Sequence, residues 1–571
     1  MNKTFPVYTV ETECQDCYKC LRQCPVKAIK VEKGRAAVIA GACIACGRCV
    51  EVCPAHAKHI RDDLGRVKYL LDRLDNVFVS LAPSYAAAFP GVPAAALIHA
   101  LKKLGFAGVS ETALGAELVN HAVADRLRTA GRKLNLSTAC PVAVDYICKY
   151  IPEMADALTP TLSPMLAHGK FLRETFGEKT GVVFIGPCIA KKCEADEHEE
   201  LIDVALTFED LQRWLSEAGL LPGGADVFPD EAFVPYAAKE GALYPMAGGM
   251  NETLRLSLKD NPARLLSVAG LRNIRHALNG FKTMPPAEPV FLELLACDGG
   301  CLGGPCVSKE MALNGELEIR RRTVFPDVPS GPAGLNLRMT IHRPAPEPEP
   351  IDPRRLTEAL ASIGKHSAAD ELNCGGCGYE TCCAFALAVV AGCAEPAMCL
   401  SNLRKRAQKK ANALLRCMPS GVVIADAALR IVECNENFAR LFGEELLLTY
   451  QAKPGMEGAR LDRSIPFPEI FRRVLETGEE YDCDMMRVGN RILNIHIFVI
   501  EQGETVGGIF FDVTSSELRR EHIASRAREV INKNLATVQE VAFKLGEHMA
   551  DTEILLRSIA DDYAGEEGVE P

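Results

Sequence analysis

The sequence predicts a multidomain chain of mixed α/β and α+β character, and three observations carry that expectation. Its 571 residues are too many for one core, because single cores rarely grow beyond about 250–300 residues. Its central part alternates short apolar runs (77–81, 182–185 and 291–295) with helical stretches such as 93–104, the pattern of an α/β domain. Its two ends have different textures, cysteine-dense at the start and strand-rich, then helical, after about residue 406.

Composition narrows the function classes. An apolar content of 48% is ordinary for globular protein, and a net charge of −11 argues against nucleic acid or an anionic membrane as the main partner. The small-residue stretch 80–101 is interrupted by Pro83, Pro90 and Pro93, and the start carries no secretory apolar region. A cytoplasmic location is the expectation. The 24 cysteines then read as metal ligands before disulfides, since cytosolic thiols stay reduced.

Residues 1–75 hold the strongest pattern. Cys14, Cys17, Cys20 and Cys24, followed by Pro25, are repeated in spacing by Cys43, Cys46, Cys49 and Cys53, followed by Pro54. A zinc module seldom uses this compact run with its terminal proline, and the doubled spacing resembles the bacterial two-cluster ferredoxins, in which the fourth cysteine of each run ligates the other cluster. The resemblance implies two 4Fe-4S clusters, one on Cys14, Cys17, Cys20 and Cys53, the other on Cys43, Cys46, Cys49 and Cys24. Electrons would enter or leave there.

Residues 76–343 carry three segments: Ser137-Thr138-Ala139-Cys140-Pro141, Pro187-Cys188 through Lys191 to Glu194, and Glu293 through Cys297 and Cys301 to Gly304. In order and spacing they resemble the three signature loops of the catalytic domain of the iron-only (di-iron) hydrogenases. That resemblance implies an H-cluster: a 4Fe-4S cluster on Cys140, Cys188, Cys297 and Cys301, with Cys301 also bridging to a di-iron unit that carries carbon monoxide, cyanide and a dithiolate bridge. Lys191 would hydrogen-bond a cyanide, as an ammonium does well with an anionic partner.

Three departures qualify the resemblance. Ala139 replaces the cysteine that relays protons in the productive enzymes, and alanine carries no proton. Gly186 and Leu295 replace methionines that pack beside the di-iron unit. Between Glu117 and Arg126 no acidic pair stands where productive hydrogenases place proton-path glutamates. Family members altered in this way and carrying extra domains are the sensory ones.

Other residues here have blander readings. His121 is expected on a helix surface, and Cys148 and Cys193 as buried thiols, with Cys193 also a candidate relay. Residues 246–252 resemble a glycine pair of the hydrogenase domain, and equally a plain turn before a helix.

Residues 344–405 combine a linker and a small module. The run from Arg343 to Pro350 favours extended polyproline conformation. Cys374, Cys377, Cys382 and Cys399 resemble the four-iron module of corrinoid iron-sulfur and electron-transport proteins, implying one further 4Fe-4S cluster, with a structural zinc site as the competing reading. Cys383 and Cys393 are alternative ligands by proximity alone. Residues 406–515 resemble a PAS domain, opening with Met418 to Asp426, then Ile431-Val432 and Asn435 to Phe438, and closing in two alternating strands at 492–500 and 506–514. No residue specifies a PAS ligand, and His496 is expected to face solvent or pack. Residues 516–571 read as helix, with Ile523, Val530, Ile531, Leu535, Val538, Val541 and Leu545 forming an apolar stripe.

Together these features imply a sensory iron-only hydrogenase that reacts slowly and reversibly with hydrogen and reports through its clusters and PAS domain. The expected partners are hydrogen, an electron carrier such as ferredoxin, a downstream kinase or phosphatase, and a second copy of the chain. Two rivals stand beside it: a working ferredoxin-linked hydrogenase, and a cluster scaffold that never acquires the di-iron unit.

Overall fold

A computed structural model describes the chain apart from residues 1–3, 33, 130, 224–227, 229, 259–261, 327–334, 342, 345–351, 515–529, 543, 546–548, 550–551 and 557–571. Most of the proline-rich run and Ile523 therefore lie outside the described residues. The chain divides into two compact units, Met1–Met398 and Cys399–Pro571.

The first unit opens with β1 (Val7–Thr9), β2 (Ile29–Glu32), β3 (Arg35–Val38) and β4 (Lys58–Ile60), paired antiparallel as β1 with β4 and β2 with β3. The two cysteine runs between them adopt one backbone shape twice. Asp16, Tyr18 and Lys27 take positive φ at 52°, 58° and 55°, and Ala45, Gly47 and His56 repeat this at 51°, 80° and 52°. Non-glycine residues avoid that region, so its recurrence at matching places around each run marks backbone held for a purpose.

Next come β5 (Val77–Leu81), β6 (Gly108–Glu111), β7 (Leu134–Leu136), β8 (Gly181–Gly186), β9 (Val204–Thr207), β10 (Arg264–Ala269) and β11 (Val290–Leu295). They form two parallel sheets, in the orders β6-β5-β8-β9 and β10-β11-β7. Every residue of β5, β6, β8, β9 and β11 is buried, which is why β5, β8 and β11 read as mostly apolar runs rather than alternation. His168, on the Pro164–Phe176 helix, lies between Ser80 Oγ (2.7 Å) and Ser110 Oγ (2.9 Å). Burial lowers its pKa to about 3, so it stays neutral and fastens β5 and β6.

A buried ionic network ties the cysteine-rich start to the α/β part. Lys192 Nζ donates to Arg61 O (2.7 Å), Asp63 Oδ2 (3.1 Å) and Asp210 Oδ2 (2.8 Å). Asp63 also accepts from Arg61 and Arg66, and both arginines pair with Asp196. Arg343, at the start of the proline-rich run, is fixed by Asp145 and Glu197.

The second unit begins with the Leu400–Cys417 helix and continues as an antiparallel five-stranded sheet. Its strands are β12 (Gly421–Asp426), β13 (Ile431–Cys434), β14 (Tyr481–Val488), β15 (Arg491–Glu501) and β16 (Thr505–Asp512), in the order β13-β12-β16-β15-β14. Asn435 caps the Glu436–Phe442 helix by accepting from Phe438 N and also binds Val422 N, Ser420 O and Leu415 O, so one side chain joins cap, strand and preceding helix. The rings of Phe438, Phe442, Phe467 and Phe471 gather around Phe510 with centroids 5.1–6.4 Å away, and they fill the concave side of the sheet. His496 is buried and stacks on Phe498 at 5.4 Å, which corrects the solvent-facing half of its expectation: the face of β15 opposite Ile495 and Ile497 is also covered, by the cluster around Phe498. Residues 530–542 are helical, and Val538 packs with Met418, Val422, Phe498 and Ile509.

Candidate metal centre

Cysteine loops leave the carboxyl ends of parallel strands, where open α/β sheets place ligand sites. Cys140 follows β7, Cys188 follows β8 and Cys297 follows β11. Cys140 caps the Pro141–Tyr150 helix, with proline at the first helical position. Burial pushes its thiol up while the amides of Ala296, Ala143 and Val142 pull it back, and the Ala296 bond joins the Cys140 and Cys297 loops. Cys301 N donates to Pro245 O (2.7 Å), and Gly300 bridges to Met246. The 246–252 segment thus supports the Cys301 loop, while Gly248 turns the chain into the Gly249–Ser257 helix.

The structure brings Cys140, Cys188, Cys297 and Cys301 into electrostatic reach of one another, with Lys191 beside Cys140, Cys188 and Cys301. Burial pushes the Cys188 thiol up to about 11, helped by Cys140, and raises Cys297 and Cys301 as well. Such thiols bind metal only by releasing protons. Lys191 Nζ donates to Glu194 Oε2 (2.6 Å) and Ser163 Oγ (3.1 Å), so the Lys191–Glu194 spacing of the signature loop is a buried ion pair holding the ammonium in place.

The amino-terminal thiols sort as the doubled spacing suggests. Cys20 lies near Cys17, Cys53 and Cys14, while Cys46 lies near Cys24, Cys49 and Cys43. Lys58, buried and bonded to Thr9 Oγ1 and Ala36 O, is an electrostatic neighbour of both Cys20 and Cys49. The second run meets the α/β site directly: a Cβ on Gly47 would lie 2.7 Å from Pro305 Cβ and 2.8 Å from Ile189 Cδ1. Lys149 Nζ and Tyr150 Oη, at the far end of the helix that Cys140 starts, donate to Cys43 O and Ala42 O. Cys46 is an electrostatic neighbour of Cys297. Cys374, Cys377 and Cys382 lie in the first unit, and Cys399 is the first residue of the second, capping the Leu400–Cys417 helix.

Among the described residues no three cysteine, histidine or acidic side chains converge as one ion would require, so fit is judged on donor chemistry. Four thiols in mutual reach suit an iron-sulfur cluster. Ser84 Oγ, in the loop after β5, is buried without a hydrogen-bond partner, and that loop flanks Gly186 through Ala82, whose amide donates to Ile185 O. An unpartnered buried hydroxyl fits an acceptor supplied by a bound group. The residues present therefore fit the implied group.

The methionine replacements have a local cause at one position. A Cβ on Gly186 would lie 2.5 Å from the Phe184 ring, so that ring already occupies the space. Leu295 is buried at the end of β11. Cys148 is buried as expected, and Cys193 has Asp145, Glu197 and Cys43 among its electrostatic neighbours. His121 is half-buried with its Nε2 unpartnered, not on the helix surface.

Sequence reasoning missed a group of buried carboxyls. Burial raises Glu111, Glu117 and Glu293 to about 7 each. Glu293 accepts from Met250 N (3.2 Å) and neighbours Cys301. Glu117 accepts from Lys239 N (2.6 Å) and Gly241 N (3.4 Å), on either side of fully buried Glu240, both of whose oxygens are unpartnered. Tyr244, whose hydroxyl is buried, has Glu293, Glu240 and Glu117 as electrostatic neighbours. The available signal was a glutamate in the otherwise apolar run 291–295.

Residues 75–305 match the family model described as iron only hydrogenase large subunit, C-terminal domain. Residues 6–54 match a 4Fe-4S dicluster domain, 370–401 an Fe-S cluster model and 410–480 a PAS domain. Parts of the chain are thus similar to the iron-only hydrogenase catalytic domain, to a ferredoxin-type dicluster domain, to an Fe-S module and to a PAS domain. Its curated relatives include the NADP-reducing hydrogenase subunit HndD of Solidesulfovibrio fructosivorans, 27% identical over 48% of this chain and 59% of that protein. Iron hydrogenase 1 of Clostridium pasteurianum is 26% identical over 44% of this chain and 53% of that protein. The chain thus spans little more than half the length of these relatives. A solved FeFe-hydrogenase from Chlamydomonas reinhardtii matches at 18% identity over 50% of this chain and 91% of that one, with a TM-score of 0.36. No helix among the described residues is long and apolar enough to cross a membrane.

Proposed function

We propose that this protein is a sensory hydrogenase: it reacts slowly and reversibly with hydrogen, giving protons and electrons, and its clusters and PAS domain report the result to a signalling protein. The observation that carries the slow reaction is Ala139, whose side chain holds no proton beside Cys140. Cys140, Cys188, Cys297 and Cys301 would hold the H-cluster. When bound, that group supplies the metal chemistry that splits or forms hydrogen.

The chain's own residues do the rest. Lys191, oriented by Glu194 and Ser163, and Ser84 supply donors to the bound group's acceptors. Glu293 is the carboxyl that holds the proton in place of the missing thiol, with Tyr244, Glu240 and Glu117 next in line. Electrons leave through Cys46 and its neighbours. The eight amino-terminal cysteines would hold two clusters, and Cys374, Cys377 and Cys382 would supply ligands to one more. A signal requires that hydrogen or electrons bind two arrangements differently.

The test exposes the matured chain to hydrogen and follows cluster reduction by electron paramagnetic resonance. Slow appearance of reduced-cluster signals supports the reading, and none after prolonged exposure of fully matured protein refutes it. A proton relay must be able to both hold and release its proton, so the rate is expected to turn over near pH 7, where Glu293 titrates. In Glu293→Gln the rate should fall about 100-fold and that turnover should vanish. A variant with wild-type rate and pH profile would remove Glu293 from the route.

A further inference from the structure

The cysteine module around residues 374–395 docks on the amino-terminal cluster domain by a backbone approach that only glycine permits. Gly378, next to Cys377, has φ +87°, and a Cβ there would stand 2.6 Å from Arg22 Cα and 3.0 Å from Arg22 Cβ. Arg22 lies between Cys20 and Cys24, so the Cys377 loop rests against the helix that joins the two amino-terminal cysteine sets.

The surrounding contacts hold this approach at both ends of the module. Tyr379 is buried, with Lys27 Nζ 5.2 Å from its ring centroid. Lys27 also donates to Arg22 O at 2.8 Å. Tyr18, beside Cys17, donates to Glu395 Oε2 at 2.6 Å, and Arg275 pairs with Glu380 at 2.9 Å. The two cations sit between thiols of different sets: Arg22 neighbours Cys17 and Cys377, and Lys27 neighbours Cys24 and Cys377.

We propose that this contact makes the module a branch of the electron chain, exchanging electrons directly with the amino-terminal clusters across Arg22, Lys27 and Tyr379. It rests on the reading that both sets of cysteines hold clusters. In the step, one electron leaves a reduced amino-terminal cluster and enters the oxidised module cluster. No bond forms or breaks, and no proton is required. Arg22 and Lys27 are positioning residues here: they anchor the contact, and their positive charge favours the reduced, more negative state of the clusters between them. The module thereby senses the charge state of the wire rather than hydrogen itself.

The test uses the full chain, reconstituted with iron and sulfide and reduced anaerobically. Magnetic coupling between module and amino-terminal clusters should broaden the resonance signals and speed their relaxation. In the double variant Cys374→Ser with Cys377→Ser, iron is expected to fall by about four per chain and the remaining signals to narrow and saturate at lower microwave power. Iron loss with unchanged relaxation would overturn the contact. Unchanged iron would overturn the cluster reading of the module, and the branch with it. Gly378→Val keeps every cysteine but forces the loop away from Arg22: full iron with narrowed signals supports the branch, and full iron with wild-type coupling overturns it.

Discussion

Ala139→Cys is expected to raise hydrogen turnover by at least about tenfold, because a positioned acid–base group contributes roughly 10²–10⁴. The position is prepared for the change. Ala139 is half-buried and precedes Cys140, and its amide donates to Ser137 Oγ at 3.3 Å. A thiol there, with an unperturbed pKa of about 8.5, can exchange protons near neutrality. The assay is hydrogen-dependent dye reduction at matched cluster content, with Ala139→Ser as the comparison of similar size. An unchanged rate would mean that proton supply through the Glu293 group already exceeds the slow step, and the sensory reading would lose its explanation for slowness.

Lys192→Met is expected to cost about 3–5 kcal/mol, the usual penalty for removing one partner of a buried ionic set. Lys192 is among the largest fully buried side chains, and its removal leaves Asp210 Oδ2 without its ammonium and Asp63 with only its arginines. The effect reads as unfolding of the first unit at lower urea. It also carries a pH signature. Burial pushes the Asp63 carboxyl up, but Lys192 and Arg61 outweigh it and hold the carboxyl below its ordinary 3.8. Its contribution is therefore present above about pH 4 and is lost as pH falls through the lowered value. The variant should lose part of that acid sensitivity, and an unfolding curve like the wild type's would show that the network does not fasten the two parts.

Much of this architecture was legible because it is local. The apolar runs 77–81, 182–185 and 291–295 became β5, β8 and β11, since a parallel sheet buried on both faces requires continuous hydrophobicity. The cysteine spacing was legible for the same reason: a run on one loop fixes which thiols are neighbours.

What escaped was long-range. Nothing around Lys192 announces Asp63 and Asp210 as its partners, and only the fold brings Gly378 onto Arg22. The carboxyls escaped because Glu293, Glu240 and Glu117 come from three separate segments and become neighbours of Tyr244 only in the fold. Cys193 is a candidate relay in the sequence, close to the proposed ligands, whereas in the fold its electrostatic neighbours include Asp145, Glu197 and Cys43. A residue's place in the chain does not say which face of its helix it uses.

The central claim, that this chain builds a hydrogen-responsive di-iron site, is tested most directly by anaerobic infrared spectroscopy of the full chain matured with its di-iron unit, first under inert gas and then under hydrogen. The account predicts iron-bound carbonyl and cyanide bands that shift when hydrogen is admitted. Absence of those bands, with a control hydrogenase matured in parallel showing them, would contradict it and leave the cluster-scaffold reading in its place.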